Sequence, residues 1–92
     1  MAERLSKKHR ATLERIFRPQ RRSNPGVSYR EMVGLARALG ASVDESRDGS
    51  RVAMDFPDGG RFTLHRPHGG RPVGGRVTAL FRDFLAERGI EP

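Results

Sequence analysis

The chain has no cysteine and no tryptophan, one tyrosine and only two lysines, Lys7 and Lys8, in 92 residues. Without cysteine there are no disulfides, thiol nucleophiles, iron–sulfur clusters or cysteine zinc sites, and the composition suits a reducing cytoplasm. No apolar run approaches the roughly 18–20 residues of a membrane span. The basic N-terminus has no apolar segment behind it, so neither membrane insertion nor a secretory leader is expected. Exposed aromatics are scarce as well. All five phenylalanines fall on core-type positions and only Tyr29 is placed for the surface, so sequence-specific base reading by stacking is not evident. No carboxylate occurs between Arg61 and Arg82. With cysteine also missing, a zinc or magnesium site there is not expected, and no cofactor is called for. The glycine-rich segment lacks the Gly-Lys-Ser/Thr ending of a P-loop. No serine stands in a His-plus-carboxylate context.

What is present is arginine. Lys+Arg number 18 against 11 Asp+Glu, a formal net charge of +7. Such an excess points to a phosphate-rich partner or an acidic protein surface. It divides into a basic N-terminal third and an arginine-and-histidine stretch from Arg61 to Arg76. The length suits one small domain over residues 1–92, with one modest core.

Ser6 is placed to cap a first helix to about Phe17, with Leu5, Leu13, Ile16 and Phe17 apolar. Its other faces carry Lys7, Lys8, Arg10 and Arg15, and His9 belongs with them on a solvated basic face. Residues 18–26 read as a basic connector. Ser28 and Glu31 form a capping box, with Val27 and Met32 as the staple around it. Met32, Leu35, Ala36 and Leu39 give the buried stripe of the second helix, and Gly40 stops it. From Ala41 the period shifts to two. A short polar strand over 41–46 and a turn at 47–49 precede a strand from Ser50 to Phe56. There Val52, Met54 and Phe56 lie on one side and Arg51, Ala53 and Asp55 on the other. Pro57 to Gly60 closes a hairpin. The strand from Arg61 to about Arg66 turns Phe62 and Leu64 inward and Arg61, Thr63 and His65 outward, and Pro67 ends its pairing. A loop with four glycines leads to a last helix from about Gly75. Val77, Leu80, Phe81, Phe84 and Leu85 form its stripe, and Gly89 ends it with Ile90 as a hydrophobic contact. The order α-α-β-β-β-α predicts an α+β fold: an antiparallel meander with one face under helices and the other, polar face open.

The segment Leu64-His65-Arg66-Pro67-His68-Gly69-Gly70-Arg71 carries the candidate chemistry. Histidine exchanges protons near neutral pH, and arginine binds phosphate oxygens bidentately. The glycines let backbone N–H groups approach an anion near a helix start. The alternation puts His65 on one face with Arg61, and Arg51 on the same face of the neighbouring strand. These parts suit holding a phosphodiester and moving protons around it. Catalytic candidates are His65 and His68. Candidate RNA and phosphate contacts are Arg51, Arg61, Arg66, Arg71, Lys7 and Lys8, and no metal ligands are assigned.

The helix ending Leu39-Gly40-Ala41, the strand opening Gly49-Ser50-Arg51-Val52, the run Phe62-Thr63-Leu64-His65-Arg66-Pro67-His68 and the helix closing Phe84-Leu85-Ala86-Glu87-Arg88-Gly89-Ile90 resemble, in their order and spacing, the HicA-type toxins. The likeness covers roughly residues 6–90 and is to the branch with an extra basic N-terminal helix and an His-Arg-Pro-His element. It implies a double-stranded-RNA-binding-domain-like α-β-β-β-α core over 27–90, with 1–26 as an added basic helix and connector. It also implies the toxin of a type II toxin–antitoxin system: a cytoplasmic, metal-independent endoribonuclease that cleaves messenger RNA and arrests growth. A HicB-type antitoxin would neutralise it in a hetero-oligomeric complex. One departure matters. Better-known members have their catalytic histidine after Gly-Ser, where this chain has Arg51. Either catalysis has moved to His65 or His68, or the chain is a non-catalytic RNA-binding module of the same fold.

Overall fold

Two of the three helices begin on a serine, and both serines act as the pattern predicts. The computed structural model describes residues 5–19, 26–45 and 50–92. Helix α1 spans Lys7–Phe17, and Ser6 accepts a hydrogen bond from the His9 amide. Helix α2 spans Tyr29–Ala38. There the Ser28 side chain accepts from the Glu31 amide and the Glu31 carboxylate accepts from the Ser28 amide, each at 3.0 Å. Helix α3 spans Gly75–Glu87 and starts on Gly74 without a side-chain cap.

Two helices also end alike. Gly40 and Gly89 take left-handed φ values of 95° and 72°. Each closes a Schellman turn, in which the Ala41 amide reaches the Ala36 carbonyl and the Ile90 amide reaches the Leu85 carbonyl, both at 3.0 Å. Ala41 and Ile90 are themselves buried, which supplies the hydrophobic contact of the motif. Because the Ala41 amide is engaged in that turn, the first strand, β1, begins later than predicted and covers Ser42–Asp44. The predicted turn at 47–49, the strand end at 46 and connector residues 20–25 lie outside the described residues.

Strands β2 (Arg51–Asp55) and β3 (Arg61–His65) complete an antiparallel sheet of order β1-β2-β3. Each is shorter than the sequence pattern suggested, yet pairing persists beyond both ends. The Phe56 amide bonds the Gly60 carbonyl at 2.8 Å and the Arg66 amide bonds the Ser50 carbonyl at 2.6 Å. The ladder stops before Pro67, which has no N–H to donate.

The inward sheet face, the apolar stripes of these three helices and all five phenylalanine rings make one core. Phe62 lies with its centroid 4.9 Å from Phe81 and 5.4 Å from Phe84, and Phe56 lies 5.0 Å from Phe84. Helix α2 packs on β1, α3 packs on β3, and α1 packs on both helices. The described residues thus form an α+β architecture, three helices and a three-stranded antiparallel sheet, compatible with an α-β-β-β-α layout preceded by α1.

Four readings of individual residues need correction. Leu80 is 52 % exposed, because the side of α3 that meets the core runs through Val77, Thr78, Phe81, Phe84 and Leu85. Thr78 can be buried because its hydroxyl donates to the Gly74 carbonyl at 2.8 Å. Ala53 lies on the outward face but is fully buried, being a methyl group on the central strand between Asp44 and Thr63. Arg15 and His9 are half-buried rather than solvated. Arg15 makes a bidentate ion pair with Glu31, both contacts 2.8 Å, and a Cβ added at Gly34 would sit 3.1 Å from the His9 ring.

The Arg15 pair joins α1 to the capping box of α2, and it is pH-dependent. Hydrogen bonds from the Arg15 guanidinium, then from the Ser28 amide, outweigh burial and hold the Glu31 carboxyl down at about 2 instead of 4.5. A carboxyl depressed in the folded state stabilises it above the unfolded value, and that stability is lost as pH falls through the folded value. Both side chains remain partly exposed, so the pair contributes about 1 kcal/mol. Glu31→Gln, which keeps the cap, should therefore lower the melting temperature at pH 7 by about 4–8 °C. That gap should shrink between pH 4.5 and 2. Thermal denaturation across this range checks it, and a gap independent of pH would contradict it.

Candidate RNA-binding face and cleft

The register of β2 on β3 assembles the outward face. Arg51 lies opposite His65, Ala53 opposite Thr63 and Asp55 opposite Arg61. The bonded rungs at Ser50/Arg66 and Phe56/Gly60 make Arg51/His65 a non-bonded rung. In such a rung the two Cα atoms are about 4.5 Å apart and the side chains are closest. Arg51 and His65 are both exposed, and neither has an ion pair or side-chain hydrogen bond among the described residues. A guanidinium and an imidazole thus stand side by side on a rigid strand pair. The guanidinium can hold an anionic oxygen while the imidazole exchanges a proton.

Arg61 is not part of this pair. It sits four residues along β3, about 13 Å away, and its Nε is 2.6 Å from Asp55 Oδ1. Its charge is already matched across the strands. The lack of acids in the 61–76 stretch is true of the sequence, but the fold carries Asp55 to Arg61 and Glu45 to Arg66.

Beyond His65 the chain turns the other predicted residues elsewhere. Arg66 lies over the Tyr29 ring at 5.8 Å and 3.9 Å from Glu45, toward the start of α2. His68 opens a single 3₁₀ turn over His68–Gly70 and is exposed. This loop is pinned to the entry of α2 by the Val73 amide on the Val27 carbonyl at 3.0 Å and by a bridge between Ser28 and Pro72. Between them lies an open cleft of about 420 Å³, with Tyr29, Arg30, Arg66 and Arg71 in its lining. Arg30 also borders a second recess that Lys8 and His9 line on the α1 side. Lys7 and Lys8 are exposed on α1, which packs on the helices and not on the outward sheet face.

The predicted residues therefore form two groups joined through residues 65–68. Arg51 and His65 are on the sheet face, Arg66 and Arg71 are in the cleft, and His68 is on the turn between the cleft and α3. Sequence reading missed Arg30 and Glu45, because a helix-start arginine and a strand-end glutamate give no spacing signal toward Arg66. Among the described residues no three His, Cys, Asp or Glu side chains come together to hold a metal ion. No helix among them is long and apolar enough to cross a membrane. Comparison with protein-family models, with curated proteins and with solved structures gives no match to this chain.

Proposed function

We propose that this chain is the toxin of a type II toxin–antitoxin pair, a metal-independent endoribonuclease that cleaves messenger RNA in the cytoplasm and is neutralised by a HicB-type antitoxin. On this reading the sheet and the helices α2 and α3 form a double-stranded-RNA-binding-domain-like core, to which α1 is added. The observation that carries the proposal is the Arg51/His65 rung on the outward face, which has no ion pair or side-chain hydrogen bond among the described residues. The resemblance to HicA-type toxins and the net charge of +7 support it.

In the reaction, His65 takes the proton of a ribose 2′-OH. The 2′ oxygen then attacks the adjacent phosphorus as the bond to the 5′ oxygen breaks, leaving a 2′,3′-cyclic phosphate. The departing 5′ oxygen receives a proton from protonated His68 or from water. Arg51, which stays charged throughout, matches the negative charge that builds on the non-bridging oxygens.

A second reading is a non-catalytic RNA-binding module of the same fold. It is favoured by one observation: neither His65 nor His68 has a hydrogen-bond partner among the described residues to orient its ring. One experiment separates the two. Purified protein incubated with messenger RNA in excess chelator is expected to yield fragments ending in 2′,3′-cyclic phosphate. Intact RNA that is bound in a salt-sensitive way assigns the binding module instead. Intact RNA with no binding removes both readings.

A further inference from the structure

The cleft between the start of α2 and the 66–73 loop takes no part in the chemistry above, yet it gathers more positive charge than the catalytic rung. Arg30, Arg66 and Arg71 line it, together with the Tyr29 ring. Glu45 bears on it from the end of β1. Its carboxylate accepts the Tyr29 hydroxyl at 2.6 Å and lies 3.9 Å from both Arg66 and Arg37. Burial, and then the hydrogen bond to Glu45, pushes the Tyr29 phenol up to about 12, so it remains a donor at neutral pH. One carboxylate thus stands between two guanidiniums at long range. Arg30 and Arg71 have no acidic partner among the described residues.

Exposed ion pairs at such distances hold weakly, typically below about 1 kcal/mol. A phosphodiester offers two anionic oxygens to a guanidinium fork, a stronger and more directional contact. The chain also places the cleft well. His65 and Arg66 are consecutive, and their side chains leave the strand end on opposite sides. An RNA strand passing over this edge presents one phosphate to Arg51 and His65 and a neighbouring one to Arg66.

We infer that the cleft is a second phosphate-binding site, taking the phosphodiester of a nucleotide that flanks the scissile linkage, and that Glu45 is its internal competitor, holding Arg66 and Tyr29 until RNA displaces it. The inference rests on RNA being the ligand, as proposed above. Arg30 is then a binding residue, and Glu45 sets the threshold for binding.

The test is equilibrium binding of a fluorescent single-stranded RNA made uncleavable by 2′-O-methyl groups, read by anisotropy over a salt series. The double variant Arg30→Gln/Arg71→Gln should bind at least about 10-fold more weakly. Its slope of log affinity against log salt should be shallower by about 0.7, the value for one phosphate contact on a single strand. Glu45→Gln, which can still accept the Tyr29 hydroxyl, should bind about 3–10-fold more tightly. Arg82→Gln removes one positive charge from α3, where Arg82 pairs with Asp83, and should change affinity by less than about 3-fold. A double variant no weaker than Arg82→Gln overturns the site. A Glu45→Gln affinity that is unchanged or lower overturns the competitor role. Wild-type protein that binds no RNA overturns the proposed function and this inference together, an outcome distinct from either.

Discussion

His65→Ala should lower the rate of RNA cleavage in chelator by about 10²–10⁴-fold, the usual contribution of a positioned general base. It should leave RNA affinity within a few-fold of wild type. His65 is the histidine carried by a strand, and its rung partner is an arginine with no competing acid among the described residues. A group held by a paired strand keeps its position through a reaction better than one on a two-glycine turn. His68→Ala should accordingly cost less, about 10-fold or under, since water can protonate the leaving 5′ oxygen in its place. Single-turnover cleavage of a defined RNA measures both. Should His65→Ala cleave at the wild-type rate while His68→Ala is dead, the base is on the turn and the assignments exchange. Two fully active variants would place the chemistry elsewhere.

The second large effect concerns α1. Residues 1–26 read in sequence as a basic helix and connector set before the core. The structure buries Leu13 and Ile16 completely, in the same cluster as Met32, Leu35 and Phe81. Truncating Leu13 to alanine should cost about 2–5 kcal/mol in lost burial and cavity. For a domain of this size that lowers the melting temperature by on the order of 10–30 °C. Total stability in this size range is only about 5–14 kcal/mol. Leu13→Ala/Ile16→Ala should therefore leave the protein largely unfolded near 37 °C, shown by collapsed amide dispersion and a missing thermal transition. Lys7→Gln/Lys8→Gln, changing exposed positions of the same helix, should alter stability by no more than about 0.5 kcal/mol. A double core variant that melts with wild type would make α1 an appendage and contradict its place in the core.

Local signals wrote most of the fold legibly. The serine caps, the glycine stops at Gly40 and Gly89, and the period-two strands are short-range physics, and each is where the residues put it. Boundaries shifted where one group had two uses, as with the Ala41 amide, claimed by the helix end before the strand could pair it. In α3 the positions Val77, Phe81, Phe84 and Leu85 pack on the core as their spacing predicts; Leu80 does not, while Thr78, which bonds its own helix backbone, passes in sequence for a surface residue and is buried. Of the site, the shared outward face of Arg51 and His65 followed from strand alternation plus one hairpin, and the register set them on one rung. The cleft did not follow, because Arg30, Glu45 and Arg66 meet only through the packing of the α2 start, the end of β1 and the 66–73 loop. Neutralisation of Arg61 by Asp55 and of Arg15 by Glu31 was likewise invisible in a tally of charges.

The central claim is that RNA lies across the outward face of β2 and β3 and over the edge at residues 65–68. Amide chemical-shift mapping of nitrogen-15-labelled protein with the uncleavable RNA tests it most directly. The largest changes should fall on Arg51, Thr63, His65 and Arg71, with Leu80 and Asp83 on the exposed side of α3 unmoved. Changes centred on α3 or on Lys7 and Lys8, with the Arg51/His65 rung silent, would show that the RNA sits on another face.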